Sequence, residues 1–178
     1  MSAISDPQLR ERTAGIRLAV FDVDGVLTDG TLYLDDNGAQ IKAFNVRDGL
    51  GLKALMRHGI TVAVITARRS GVVERRMLEL GVKHLRQGQS NKEQALTELL
   101  GELGMAAAHT AYMGDDLIDW PAMKLCALSA APADADGWIR SQVDVVTDAG
   151  GGRGAVREFC ELLLAARGAL QAWQDSYR

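Results

Sequence analysis

Apolar residues along the chain fall into two kinds of pattern. Short, nearly continuous runs occur at Ile16-Arg17-Leu18-Ala19-Val20-Phe21, Ile60-Thr61-Val62-Ala63-Val64-Ile65 and His109-Thr110-Ala111-Tyr112-Met113, with weaker ones at Ala127-Leu128-Ser129 and Val143-Asp144-Val145-Val146. Runs of this kind suit strands of a parallel sheet covered on both faces. Between them, apolar residues recur at helical spacing. Residues 51–58 carry Leu52, Leu55 and Met56; residues 71–80 carry Val72, Val73, Met77, Leu78 and Leu80 and stop at Gly81. Residues 91–103 carry Ala95, Leu96, Leu99, Leu100 and Leu103 and stop at Gly104, and residues 155–173 read as one long helix. A glycine just past the last periodic residue is a helix C-terminal signal.

Strands alternating with helices predict an α/β, doubly wound, mainly parallel sheet flanked by helices, of Rossmann type. Residues 1–15 read as an N-terminal extension and residues 16–178 as one domain. One segment breaks the alternation. Residues 31–44 place Asp35-Asp36-Asn37-Gly38 between two β-prone runs, a hairpin signal just after the first strand. Between Asp24 and Thr66 there is room for a hairpin, a helix and a strand, and no separate cap domain. The run Ala149-Gly150-Gly151-Gly152-Arg153-Gly154 reads either as a linker releasing the last helix or as part of a functional tail.

Composition narrows the function. With 47% hydrophobic and 24% charged residues the chain is of ordinary globular type, not disordered. A formal net charge of -3 gives no field to draw it onto nucleic acid or an anionic membrane. The two cysteines, Cys126 and Cys160, have no metal-ligand spacing and form no disulfide framework. No apolar run reaches the length of a membrane span, and a cytoplasmic location is the expectation.

Chemistry concentrates at strand ends. The first strand runs into Asp22-Val23-Asp24-Gly25-Val26 and the third into Gly114-Asp115-Asp116-Leu117-Ile118-Asp119. In an open α/β sheet, ligands bind beyond the carboxyl ends of the strands. An Asx turn explains one of these aspartates, and a helix cap explains Asp116. Two acidic clusters at one crevice repel each other unless a cation joins them, and hard oxygen ligands select Mg2+. Thr66, after the second strand, is either an N-cap or a contact for a phosphate oxygen. Lys92 opens a helix against its dipole, so it is either a solvated charge or a group aimed at an anion. His58, His84 and His109 read as structural.

In this order and at these strand ends, Asp22-x-Asp24-Gly25, Thr66, Lys92 and Gly114-Asp115-x-x-x-Asp119 resemble the four motifs of the haloacid dehalogenase (HAD) superfamily. The longer strings from Phe21 to Gly30, from Phe44 to Gly51, at Ile65-Thr66-Ala67-Arg68-Arg69-Ser70 and from Gly151 to Glu158 resemble the 3-deoxy-D-manno-octulosonate 8-phosphate phosphatases within it. That resemblance implies a capless homotetramer hydrolysing a small phosphorylated keto-deoxy sugar acid for lipopolysaccharide synthesis. It implies Asp22 as nucleophile and Asp24 as general acid/base, with Thr66 and Lys92 on the phosphoryl group. It further implies Mg2+ on Asp22, the Asp24 carbonyl and Asp115, with Asp119 behind the metal. Around the substrate it places Asp24, Asn45, Val46, Arg47, Asp48, Gly49, Lys53, Arg68, Arg76 and Lys92. Of these, Arg47 and Arg68 read as crevice-edge loop residues, whereas Lys53 and Arg76 also fit solvated helix charges. The glycine-rich tail is implied to fold over a neighbour's active site, and Trp173 and Tyr177 fit either a docking tail or core packing.

Three alternatives remain at this level. The substrate could be a nine-carbon keto-deoxy sugar phosphate or another small phosphomonoester. The chain could be a non-catalytic oligomeric partner, which the presence of both Asp22 and Asp24 disfavours. It could also be a receiver-like domain, which would not need a general acid two residues after the nucleophile.

Overall fold

The computed structural model describes residues 6–178, so residues 1–5 of the expected extension lie outside it. Along the chain run α1 (Pro7–Ala14), β1 (Leu18–Phe21), β2 (Tyr33–Leu34), β3 (Gln40–Ile41), α2 (Val46–Arg57), β4 (Thr61–Thr66), α3 (Gly71–Leu80), β5 (His84–Gln87) and α4 (Lys92–Leu103). After a 3-10 turn at Ala107–His109 come β6 (Thr110–Met113), α5 (Trp120–Met123), β7 (Leu128–Ala131), α6 (Gly137–Gln142), β8 (Val145–Val146), α7 (Ala155–Ala166) and α8 (Leu170–Asp175).

Among the described residues, six strands form one parallel sheet in the order β5-β4-β1-β6-β7-β8. The chain winds outward from β1 through β4 to β5, then returns to the other side of β1 to lay down β6, β7 and β8. This is the Rossmann-type order, with its switch point between β1 and β6. Successive side chains of a strand face opposite sides of the sheet, and each side has its own core. Ala19 and Phe21 join α2, α3 and α7 through Leu52, Leu55, Met77, Phe159 and Leu163. Leu18 and Val20 join α4, α5 and α6 through Leu96, Leu99, Met123 and Ile139.

Several elements differ from expectation. Helix α2 starts at Val46 rather than near residue 51, because Asn45 caps it by accepting from the Arg47 N–H at 2.8 Å. Arg47 is therefore in the first helical turn and not in a loop. Strand β5 carries the half-buried run His84-Leu85-Arg86-Gln87, which has no apolar pattern of its own and is held by pairing with β4. The expected helix 155–173 breaks after Ala166, where Gly168 turns at φ +69° and α8 folds back. Trp173 is thereby buried in the core, with the Arg157 guanidinium 4.4 Å from its ring centre. Helix α1 is tied to the body: Arg12 donates to the Ala127 carbonyl at 2.8 Å and pairs with Asp144 at 3.0 Å.

The hairpin is present as a separate two-stranded sheet, Tyr33 opposite Ile41 and Leu34 opposite Gln40. Asp35 organises its turn, accepting from the N–H groups of Asn37 and Ala39 at 3.0 and 2.7 Å. Among the described residues no helix is long and apolar enough to cross a membrane.

Phe159 of α7 packs edge-on against Phe21 of β1, with ring centres 6.1 Å apart. Phe159→Ala is expected to cost about 3–5 kcal/mol, the range for a large aromatic deleted from a core. Urea unfolding measures the loss, and a cost under about 1 kcal/mol would show that α7 is not anchored through this ring.

Candidate active site

The switch point puts the carboxyl ends of β1 and β6 side by side, with Phe21 in register with Met113. The Asp22 N–H continues the ladder to the Met113 carbonyl at 3.0 Å. The chain then turns sharply, with the N–H groups of Val26 and Thr28 both donating to the Val23 carbonyl. Gly25 makes the turn possible at φ +89°, and a Cβ there would overlap the Asp115 carboxylate. The two acidic clusters expected from the sequence therefore meet through a glycine. Asp22, Asp24, Thr66, Arg68 and Asp115, with Ile118, line one cleft of about 230 Å³. A larger groove of about 580 Å³ beside β5 is lined by Arg69, Met77, Leu78 and Arg86 and contains none of these carboxylates.

Lys92 sits at the centre. Its side chain is only 1% exposed, so it is no solvated surface charge. Its ammonium pairs with Asp22 Oδ2 at 2.9 Å and with Asp119 Oδ1 at 2.6 Å. Asp119 is fully buried and also accepts from the Tyr112 hydroxyl at 3.1 Å and from the N–H groups of Asp115 and Asp116 at 3.3 and 3.4 Å. With four donors around it, Asp119 shapes the loop that presents Asp115. Burial, with Asp119 close by, pushes the Asp22 carboxyl up to about 7 against the pull of Lys92. Burial, Asp119 and Asp22 push Asp115 up to about 8. Burial works against the charge on Lys92, but Asp22 and Asp119 outweigh it and hold the ammonium protonated above its ordinary range.

This charge distribution fits a hard divalent cation. Oxygens of Asp22, Asp115 and Asp119 lie within 4.8 Å of one another. Asp22 Oδ1 is buried and has no hydrogen-bond partner, which is costly unless something positive faces it. Asp119 is engaged by its donors, so Asp22 and Asp115 are the carboxylates left to meet the ion.

The other expected residues divide into two groups. Thr66 ends β4 buried in the cleft and caps no helix, since α3 begins at Gly71 after Ser70. Arg68 reaches the cleft wall. Asn45 lies near the glycine segment, its amide donating to the Gly152 carbonyl at 3.4 Å. Val46, Arg47 and Lys53 are exposed on α2. Gly49 lies under the Arg76 guanidinium; Arg76 pairs with Glu79 at 3.3 Å and keeps a buried, unpartnered Nε. Asp48, expected at the substrate, is buried and accepts from the N–H groups of Gly154 and Arg157 at 3.3 and 2.8 Å, at the start of α7. Burial raises its pKa, partly countered by those two bonds.

Two residues escaped the sequence reading. Lys42, following β3, has a side chain 2% exposed and ion-pairs with Asp24. A single lysine in a hairpin arm has no motif to announce it. Tyr112 points its hydroxyl at Asp119, and the available signal was a phenol placed inside a fully buried strand.

Six parallel strands in this order, with paired aspartates after the first, a threonine after the second, a buried lysine and an acidic loop across the switch point, define a hydrolase of the HAD superfamily. The chain is 51% identical over 164 residues to the 3-deoxy-D-manno-octulosonate 8-phosphate phosphatase of Salmonella typhimurium, covering 92% of this chain and 87% of that one. It superposes on the crystal structure of the Yersinia pestis 3-deoxy-D-manno-octulosonate 8-phosphate phosphatase with a TM-score of 0.91 at 48% identity, covering 93% and 89% of the two chains. It superposes on the Moraxella catarrhalis 3-deoxy-D-manno-octulosonate 8-phosphate phosphatase, solved with magnesium, phosphate and KDO, with a TM-score of 0.94 at 40% identity, covering 96% and 98%. No protein-family model matches the chain. The chain belongs to the 3-deoxy-D-manno-octulosonate 8-phosphate phosphatase family.

The raised carboxyls predict how the metal-free protein responds to pH. Asp22 and Asp115 bind protons more tightly folded than unfolded, so the stability they contribute is present below about pH 4 and is lost as pH rises through about 7 and 8. Unfolding in EDTA should show this decline from pH 5 to 8. Added Mg2+ should raise the melting temperature more at pH 8 than at pH 6, since the ion competes with those protons. Equal shifts at both pH values would place the ion elsewhere.

Proposed function

We propose that this chain is a Mg2+-dependent phosphomonoesterase that hydrolyses 3-deoxy-D-manno-octulosonate 8-phosphate to the free sugar acid and phosphate. The observation that carries the reading is the buried Asp22 carboxylate, paired on one oxygen with Lys92 and unpartnered on the other, in one cleft with Asp24, Thr66 and Asp115. The Moraxella relative, solved with magnesium, phosphate and KDO, supports the substrate.

A carboxylate oxygen of Asp22 attacks phosphorus in line, forming an acyl phosphate as the bond to the sugar oxygen breaks. Asp24 gives its proton to that departing oxygen, then takes one from the water that attacks phosphorus and frees Asp22. Thr66 and Lys92 hold the phosphoryl oxygens. Asp22, the Asp24 carbonyl and Asp115 would hold Mg2+, with Asp119 fixing the loop behind them. Bound there, the ion offsets the charge between an anionic nucleophile and an anionic substrate. Arg68 lines this cleft, and the family resemblance assigns Asn45, Val46, Arg47, Gly49, Lys53 and Arg76 to the sugar acid as well, the arginines suiting its carboxylate.

Phosphate release should be strongest with this substrate among a panel of sugar phosphates including a nine-carbon keto-deoxy acid. It should stop in EDTA, return with Mg2+, and fall on the order of 10⁴-fold in Asp22→Asn. Preference for the nine-carbon compound would keep the mechanism and change the substrate. No turnover at all would put the non-catalytic reading first.

The assembly belongs to the same reading. A capless cleft is open to water, and phosphoryl transfer favours a closed site. The hairpin exposes Leu32, Tyr33, Leu34 and Ile41, between 46% and 66% open, an apolar surface suited to a neighbouring copy. We assign the chain as a homotetramer in the reducing cytoplasm, where its free thiols Cys126 and Cys160 remain unpaired. Light scattering should give the mass of four chains, and Leu34→Glu with Ile41→Glu should lower it. A fully active native monomer would overturn the assignment.

A further inference from the structure

The glycine-rich segment 150–154 has no part in the chemistry above, and it is not a free linker. It packs against the backbone of its own chain's catalytic loop. The Gly152 N–H donates to the Val26 carbonyl at 2.9 Å, with Gly152 itself in the left-handed region at φ +61°. Gly151 lies so close to the Gly25 carbonyl that a Cβ on it would overlap that oxygen and crowd the Thr28 carbonyl. No side chain fits at this position without moving either the segment or the loop.

The segment is itself held from outside the loop. The Gly151 N–H donates to Asp134 Oδ1 at 2.8 Å, beyond β7. Asp48, at the start of α2, accepts from the Gly154 and Arg157 N–H groups, and the Asn45 amide donates to the Gly152 carbonyl. Three anchors thus press two glycines onto the stretch that follows Asp22 and Asp24.

We infer that residues 150–154 are a positioning element for catalysis, in which Gly151 and Gly152 set the backbone of the loop carrying Asp22 and Asp24. This rests on the phosphatase reading of those two aspartates. Within the loop the Val26 and Thr28 N–H groups bond to the Val23 carbonyl, and Lys92 and Lys42 hold the two catalytic side chains, but the backbone bond to the Val26 carbonyl comes from Gly152. A displacement of about 1 Å in such a loop costs on the order of 10²-fold in rate.

The test is Gly151→Ala in the full chain, compared with the native protein and with Gly101→Ala, an open position in α4 away from the site. Gly151→Ala should lower kcat by about tenfold or more, with KM changed less than about threefold. It should weaken Mg2+ binding measured by calorimetry and speed hydrogen exchange at the Thr28 and Gly152 amides. Gly101→Ala should leave all four readings at native values. Asp134→Ala removes one anchor of the segment from an exposed side chain, and should move kcat and Mg2+ affinity in the same direction by a smaller factor. A folded Gly151→Ala protein with native kcat per folded molecule and native Mg2+ affinity overturns the inference. If Gly151→Ala does not fold, Asp134→Ala decides, and native values for it overturn the inference equally. An inactive native chain would sink the phosphatase reading alone, because metal affinity and hydrogen exchange still judge the positioning role.

Discussion

The constraint on which the rest depends is one buried ammonium set among three carboxylates. Lys92 neutralises one of Asp22, Asp115 and Asp119, which leaves two negative charges on carboxylates that are buried or half-buried. A buried charge without a partner costs several kcal/mol, so the fold must either protonate the site or supply a divalent cation. The raised Asp22 and Asp115 carboxyls are the first outcome, and a metal is the second. This excess also explains why Asp119 has so many donors: with Lys92, Tyr112 and two backbone N–H groups around it, it remains buried and leaves the other two carboxylates facing the cleft.

The same residues serve the scaffold and the site. Tyr112 fills the core on the α4 side of the sheet while its hydroxyl steadies Asp119. Phe21 packs against Phe159 on the opposite side, one residue before the nucleophile. Two apolar layers thus fix the end of β1 from both faces, which is the rigidity an in-line attack requires.

What was legible in the sequence was what periodicity and strand ends can carry. The runs ending at Phe21, Ile65 and Met113 became β1, β4 and β6 to within two residues, and their polar successors met in one cleft, because a parallel sheet delivers its carboxyl ends to one side. What was not legible depended on partners distant in sequence. Strand β5 exists through pairing with β4 and not through its own pattern. Nothing near Asp48 in the sequence announces that its oxygens hold the start of α7, more than a hundred positions away. Lys42 reaches Asp24 only because the hairpin returns over the cleft. The break between α7 and α8 was signalled by Gly168, but the apolar spacing on either side masked it.

The central place of β1 has a consequence for how the chain comes into being. This strand is made first, is buried at every residue, and hydrogen-bonds on one edge to residues 61–64 and on the other to residues 110–113. During synthesis one edge lacks its partner until residues 61–64 are made, and the other lacks its partner until residues 110–113, some ninety residues after the strand itself. An unpaired apolar strand is a template for pairing with other chains. The nascent chain therefore carries an unpaired apolar edge at residues 18–21 until β6 is made.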